Sequence, residues 1–229
     1  MQMNAKGGGD SGRNLPYKTV EGAVLCYDLF RGTGSTEPPI VFLPGLIRQK
    51  NEIKATTLQS WCRKNDMTFF CADYMGVGRS SGTFSDGTVG RWASDTIQLL
   101  DKVVGQEKNN NKAILVGHGV GAWVSFLVAA KRPDLVSGIV GMSADPDFTE
   151  ELLWKKLPED TKLKIMSQGV ADITWGSEVY PISKALIEDG RENLLLTSNL
   201  LTKVNCPVRL VHALEDEEVG GERRGPNWL

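Results

Sequence analysis

Seven residues, LVGHGVG at positions 115–121, place glycine at three alternate positions between an apolar run and a helical pattern. A chain that leaves a strand and enters a helix through such a turn brings the two backbones very close. Side chains flanking the turn would collide, so glycine is required there. The segment that follows, 121–130, sets Trp123, Phe126, Leu127 and Ala130 on one stripe, and Pro133 stops it. The same rhythm recurs along the chain. Apolar runs at 24–29, 40–43, 67–72, 113–116, 137–142 and 207–213 read as strands. Helices are expected at 54–64 and after Thr88, which caps a face of Trp92, Leu99, Leu100 and Val103. Strands alternating with helices predict an α/β domain with a mostly parallel sheet and crossover helices.

At 229 residues the chain accommodates one such domain with a sizeable core. Its 26 basic and 28 acidic residues leave a net charge of −2, which gives no basic face for nucleic acid or anionic membrane. No apolar run reaches membrane-spanning length, so no transmembrane segment is expected. The four cysteines (Cys26, Cys62, Cys71, Cys206) are scattered, and two histidines, His118 and His212, cannot build a Cys/His zinc cluster at usual spacings. Buried reduced thiols in an intracellular compartment are the expectation. Residues 1–14 lack a secretory apolar core and an Arg-rich presequence pattern, and read as a flexible leader. The domain is expected over 15–219. Between 145 and 204 the strand rhythm is lost among charged helix-prone stretches with Trp154, Trp175, Tyr180 and Pro181, which reads as a helical cap inserted between two core strands. Residues 220–229 (GGERRGPNWL) form an atypical tail.

The 115–121 turn is the setting of a nucleophile elbow, whose usual pattern is G-x-S-x-G. Gly117 and Gly121 are in place, and the middle residue is Gly119. A glycine there supplies no Oγ, so no acyl-enzyme forms at that position. It also removes the strain, roughly 1–3 kcal/mol, that a side chain suffers in a sparsely populated backbone conformation. The alternative is a glycine-rich strand–helix turn with no chemistry.

The neighbouring motifs favour the elbow. Residues 73–82 read D-Y-x-G-x-G-x-S-x-G after a strand. The resemblance of this loop to a dinucleotide fingerprint fails, because its glycine spacing is GxGxxxG and turn residues follow it instead of a helix. Leu43-Pro44-Gly45-Leu46 sits where an oxyanion loop belongs, so the backbone N–H groups of Leu46 and Val120 are candidate donors to a developing oxyanion. After the last strand, Asp216 is the candidate acid, set among Glu215, Glu217 and Glu218 that also suit a solvated loop. Asp145 and Asp147, after the preceding strand, are the alternatives.

Taken together, FLPG at 42–45, the 73–82 loop, GRW at 90–92, the 115–123 segment, YPISKAL at 180–186 and the 204–216 segment make the chain resemble one branch of the α/β-hydrolases. That branch is the mitochondrial palmitoyl-protein thioesterases and acyl-glucuronide esterases, and the resemblance runs from about Tyr17 to Val219. It implies an α/β-hydrolase fold with helices on both sheet faces and a cap. It also implies hydrolysis of S-acyl thioesters or acyl esters (depalmitoylation where the substrate is a protein), with no metal or organic cofactor. Mitochondrial localisation follows from it, and a cytosolic one if the leader carries no import signal.

Two departures from the family pattern matter. The nucleophile serine is replaced by Gly119, and the histidine base, expected one strand beyond the acid, has no counterpart after His212. His212 lies on the last strand, and His118 occupies the variable position before the nucleophile; neither is expected to act as base. The tail reads as a replacement of the family's final strand and helix, which would bare the edge of strand 207–213 and favour self-association. The expectation is a serine-hydrolase scaffold that is inactive or strongly impaired, or alternatively a pseudoenzyme binding acyl ligands or acylated proteins under the cap. A third alternative is a replacement nucleophile such as Ser125 or Cys71.

Overall fold

The strands at 40–43 (IVFL) and 69–72 (FFCA) are short and wholly apolar because both their faces are buried. The computed structural model describes residues 11–33, 36–104, 112–175 and 178–213. Two leading strands, β1 (Gly12–Lys18) and β2 (Val24–Phe30), run antiparallel to each other. They are followed by β3 (Ile40–Leu43), β4 (Phe69–Ala72), β5 (Ala113–His118), β6 (Val136–Met142) and, after the cap, β9 (Val208–Val211). The seven form one sheet in the order β1-β2-β4-β3-β5-β6-β9, parallel from β4 through β9. β2 pairs antiparallel with β4. The fold is the expected α/β architecture. One boundary moves: β1 begins at Gly12, inside the segment expected to be leader, and the Asn14 amide donates to Asp28 Oδ1 at 2.8 Å.

Alternation along the strands divides two cores. Val41 and Leu43 of β3, Phe70 and Ala72 of β4, and Ala113 and Leu115 of β5 join one. Ile40, Phe42, Phe69, Cys71 and Val116 join the other. Helix α1 (Ile53–Lys64) covers the smaller core with Ala55 and Cys62. Helices α2 (Val89–Leu99) and α3 (Val120–Lys131) cover the larger. Thr88 caps α2 as expected, its hydroxyl accepting from the Arg91 amide at 3.2 Å. Helix α3 differs from expectation. It is buried at every position from Val120 to Ala130, because it is packed between the sheet and α2 instead of lying on the surface.

The cap is not purely helical. After a one-turn segment at Thr149–Leu153, α4 (Glu159–Gln168) ends at Gly169, whose φ of +86° stops the helix. Strands β7 (Val170–Trp175) and β8 (Glu178–Ser183) then pair antiparallel, and α5 (Lys184–Glu192) follows. The hairpin escaped the sequence reading because its buried positions, Ala171, Ile173 and Ile182, are few and spaced by charged or polar residues. The cap is fastened at both ends. The Asp189 carboxylate accepts the Gly90 amide at 2.7 Å at the start of α2, and a Cβ on Gly90 would lie 2.6 Å from that carboxylate. Asp147, at φ +60°, accepts the Leu195 and Leu196 amides at 2.7 and 2.9 Å.

A polar brace holds the loop after β3. The Lys50 ammonium, only 6% exposed, reaches Asp28 Oδ1 and Asn14 Oδ1, each at 2.9 Å, and the Lys50 amide donates to Asp73 at 2.7 Å. Burial opposes the Lys50 charge. The Asp28 hydrogen bond and the attraction of Asp28 and Asp73 override it and hold the ammonium above its ordinary pKa. Asp73 also accepts the Arg79 amide at 3.1 Å, so the 73–82 loop and the 44–50 loop share one carboxylate. Removing one partner of a buried pair leaves an uncompensated charge. Asp28→Ala is expected to cost about 3–5 kcal/mol in urea unfolding with an unchanged m value, whereas Asp28→Leu with Lys50→Met together is expected to cost much less.

Candidate functional site

The elbow is built from β5, a single turn residue and α3. Gly119 stands between them at φ 53°, ψ −121°, a combination that L side chains rarely adopt. Its amide donates to Met142 O at 3.0 Å, which pins the turn to the end of β6. The three glycines serve different ends. A Cβ on Gly117 would lie 2.4 Å from the Ala122 amide nitrogen, and one on Gly121 would lie 2.1 Å from Leu43 O. Those two exist so that the backbones can touch. A Cβ on Gly119 would meet nothing nearer than the Asp145 carboxylate at 3.6 Å, so a side chain has room there and only the backbone angle resists it.

Gly119 opens onto a cavity of about 130 Å³. The loop after β3 contributes Gly45, Leu46 and Arg48, and the elbow contributes His118, Gly119 and Val120. The segment after β6 adds Ser143, Asp145 and Phe148, and the cap hairpin adds Trp175 and Tyr180. Both candidate oxyanion donors, Leu46 and Val120, therefore border the same space as the elbow residue. The wall under the cap is aromatic: Phe148 packs between Trp123 and Trp175 with ring centroids 5.8 and 5.9 Å away. At the rim Arg48 pairs with Glu178 at 2.9 Å, and the Tyr180 hydroxyl donates to the other Glu178 oxygen at 2.8 Å. The Tyr180 hydrogen bond, with Arg48 behind it, holds the Glu178 carboxyl below its ordinary pKa.

The remaining candidates separate by position. Asp145 lines the cavity. Asp147 does not, since its carboxylate holds the Leu195 and Leu196 amides. Asp216 lies outside the described residues. His118 lines the cavity, with its Nδ1 3.7 Å from Glu52 Oε1, beyond hydrogen-bond reach. His212 sits just past β9 and does not border the cavity. The replacement nucleophiles fail on burial. The Ser125 hydroxyl is fully buried and donates to Gly121 O at 2.8 Å. Burial foremost pushes the Cys71 thiol far up, away from thiolate. Trp154 belongs to cap packing, under Arg191 at 4.7 Å. Sequence reasoning missed Ser143, Arg48 and Phe148. Ser143 holds a left-handed φ of +43° directly after β6, a strain that only coordinates reveal.

The model of the alpha/beta hydrolase fold family matches residues 38–164. The palmitoyl-protein thioesterase ABHD10, mitochondrial, of Bos taurus is 32% identical over 209 residues, covering 90% of this chain and 61% of that protein. The Mus musculus protein of the same name is 31% identical, covering 92% of this chain and 65% of its own length. The chain thus spans less than two thirds of the length of these curated relatives. Among solved structures, alpha/beta hydrolase domain-containing protein 10 from mouse superposes with a TM-score of 0.77 at 29% identity, over 92% of this chain and 81% of that one. A putative hydrolase from Agrobacterium vitis superposes at 0.81 and 23% identity, over 94% and 83%.

The different reasons for the three glycines are open to measurement. Gly119→Ser is expected to lower stability by about 1–3 kcal/mol, the strain of a side chain at this backbone angle. Gly121→Ala is expected to cost more in the same thermal unfolding series, because its methyl meets backbone that cannot move aside. Equal losses for the two would contradict this division.

Proposed function

This chain belongs to the alpha/beta hydrolase fold family, and from that membership we propose that it binds acyl thioesters or acyl esters in the cavity under its cap without covalent serine catalysis. The observation that carries this reading is Gly119. It holds an elbow conformation facing an aromatic-walled cavity, yet it has no Oγ to attack a carbonyl. Acyl-enzyme chemistry needs an activated nucleophile at that point. What the cavity retains is a set of binding elements: Leu46 and Val120 amides for a carbonyl oxygen, and Phe148, Trp175 and Tyr180 for apolar substrate parts.

The relatives are named palmitoyl-protein thioesterases and mitochondrial. We extend from those names the acyl-thioester class of ligand, an S-acylated protein as one source of it, and a mitochondrial location. Asp216 keeps the acid role that the family pattern gives it. Neither His118 nor His212 is assigned as base. Without a serine, what oxyanion donors and binding alone supply in this family's chemistry is a residual of about 10³–10⁴-fold over water.

The test uses a long-chain acyl ketone in which CH₂ replaces the thioester sulfur, so that it binds and does not turn over. Binding is expected to change tryptophan emission through Trp175, and Trp175→Ala is expected to weaken affinity about tenfold, or about 1.4 kcal/mol. A fluorophosphonate serine probe is expected to leave the chain unlabelled. Absence of ketone binding would contradict the acyl site, and labelling at a definite serine would show that another nucleophile is at work.

A further inference from the structure

Resting on the acyl-site reading above, we infer that Asp145 serves as the general base for direct attack by water at Gly119, giving slow hydrolysis with no covalent intermediate. The two Asp145 carboxylate oxygens lie 3.6 and 3.7 Å from the point a Gly119 Cβ would occupy, so the carboxylate presents both oxygens to the elbow. A water held by Asp145 on that side would lie beside Gly119, in space that a side chain at 119 would otherwise fill. Leu46 and Val120, whose amides are the candidate oxyanion donors, border the same cavity as Asp145 and Gly119. Asp145 is carried there by a constrained backbone. Ser143 takes a left-handed φ of +43° and donates its amide to Val211 O at 2.8 Å, and Asp147 two residues on takes φ +60° with its carboxylate tied to the cap. That fixed loop aims Asp145 at the elbow without help from the turn itself.

The step balances on the groups present. The water oxygen forms a bond to the acyl carbon while its proton passes to the Asp145 carboxylate. The carbonyl electron pair moves to oxygen, and that oxyanion accepts from the two amides. On collapse the carbon–sulfur bond breaks and the leaving thiolate takes the proton back from Asp145, which yields a free acid and a thiol. A serine side chain would occupy the place of that water, so glycine at 119 is what this route requires.

The experiment follows hydrolysis of an acyl-thioester by the full chain, with ketone binding measured in parallel. Asp145→Asn keeps the size and hydrogen bonding of the side chain but removes the base. It is expected to cut turnover about 10²-fold, the lower end for a general base, while changing ketone affinity less than threefold. Gly119→Ala puts a methyl where the water rests and is expected to abolish turnover as well, so the idea stays testable should Asp145→Asn fold poorly. Turnover is expected without a burst and without an acyl adduct by mass spectrometry. Unchanged turnover in either variant, an acyl adduct, or ketone binding with no turnover above background would overturn the role of Asp145 and leave the acyl site standing. Loss of ketone binding in the parent chain would overturn the site reading and this inference with it.

Discussion

The site depends on how closely β5 and α3 approach each other and the loop after β3. Gly121 packs against Leu43 O and Gly117 against the Ala122 amide, at separations that no side chain survives. That contact seats the N-terminus of α3 beside Gly45 and Leu46, with the one intervening residue at positive φ (53°) and ψ −121°. In an enzyme of this fold the strain exposes a nucleophile. Here the same geometry is kept with glycine, the residue that bears it most easily.

Around that contact the structure holds its loops with buried polar groups as well as with apolar side chains such as Tyr74 and Val77. Asp73 joins the 73–82 loop to the Lys50 amide, and the Lys50 ammonium joins Asp28 and the first strand. Across the cavity Asp147 and Asp189 fasten the cap to its own return segment and to α2. Each carboxylate accepts backbone N–H groups, bonds that are short, charge-assisted and directional. The outcome is a rigid floor and rear wall beneath a rim that rests on the more exposed Arg48–Glu178 pair.

Much of this was legible in the sequence, for identifiable reasons. The central strands announce themselves as short apolar runs because parallel strands are buried on both faces, and Gly117 and Gly121 mark the elbow because steric exclusion leaves them no alternative. Thr88 as a cap and residues 73–82 as a loop follow from local chemistry. β1 was hidden because it is largely exposed and carries Asn14 and Pro16, residues poor in strands. The cap hairpin was hidden by its sparse apolar positions. Among the residues that border the cavity, Gly119, Leu46 and Val120 are the ones that the sequence motifs name. The position of Asp145 could not be read there, since it depends on the left-handed turn at Ser143 and on which of two neighbouring carboxylates the cap claims. Asp216 lies outside the described residues.

The central claim is that an intact elbow and its oxyanion amides survive around a glycine. A crystal structure of the chain bound to the acyl ketone tests this directly. The account predicts Gly119 near φ +50°, ψ −120°, with the ketone oxygen about 2.7–3.1 Å from the Leu46 and Val120 nitrogens. A Gly119 relaxed into the right-handed region, or a ketone seated away from those two amides, would contradict it.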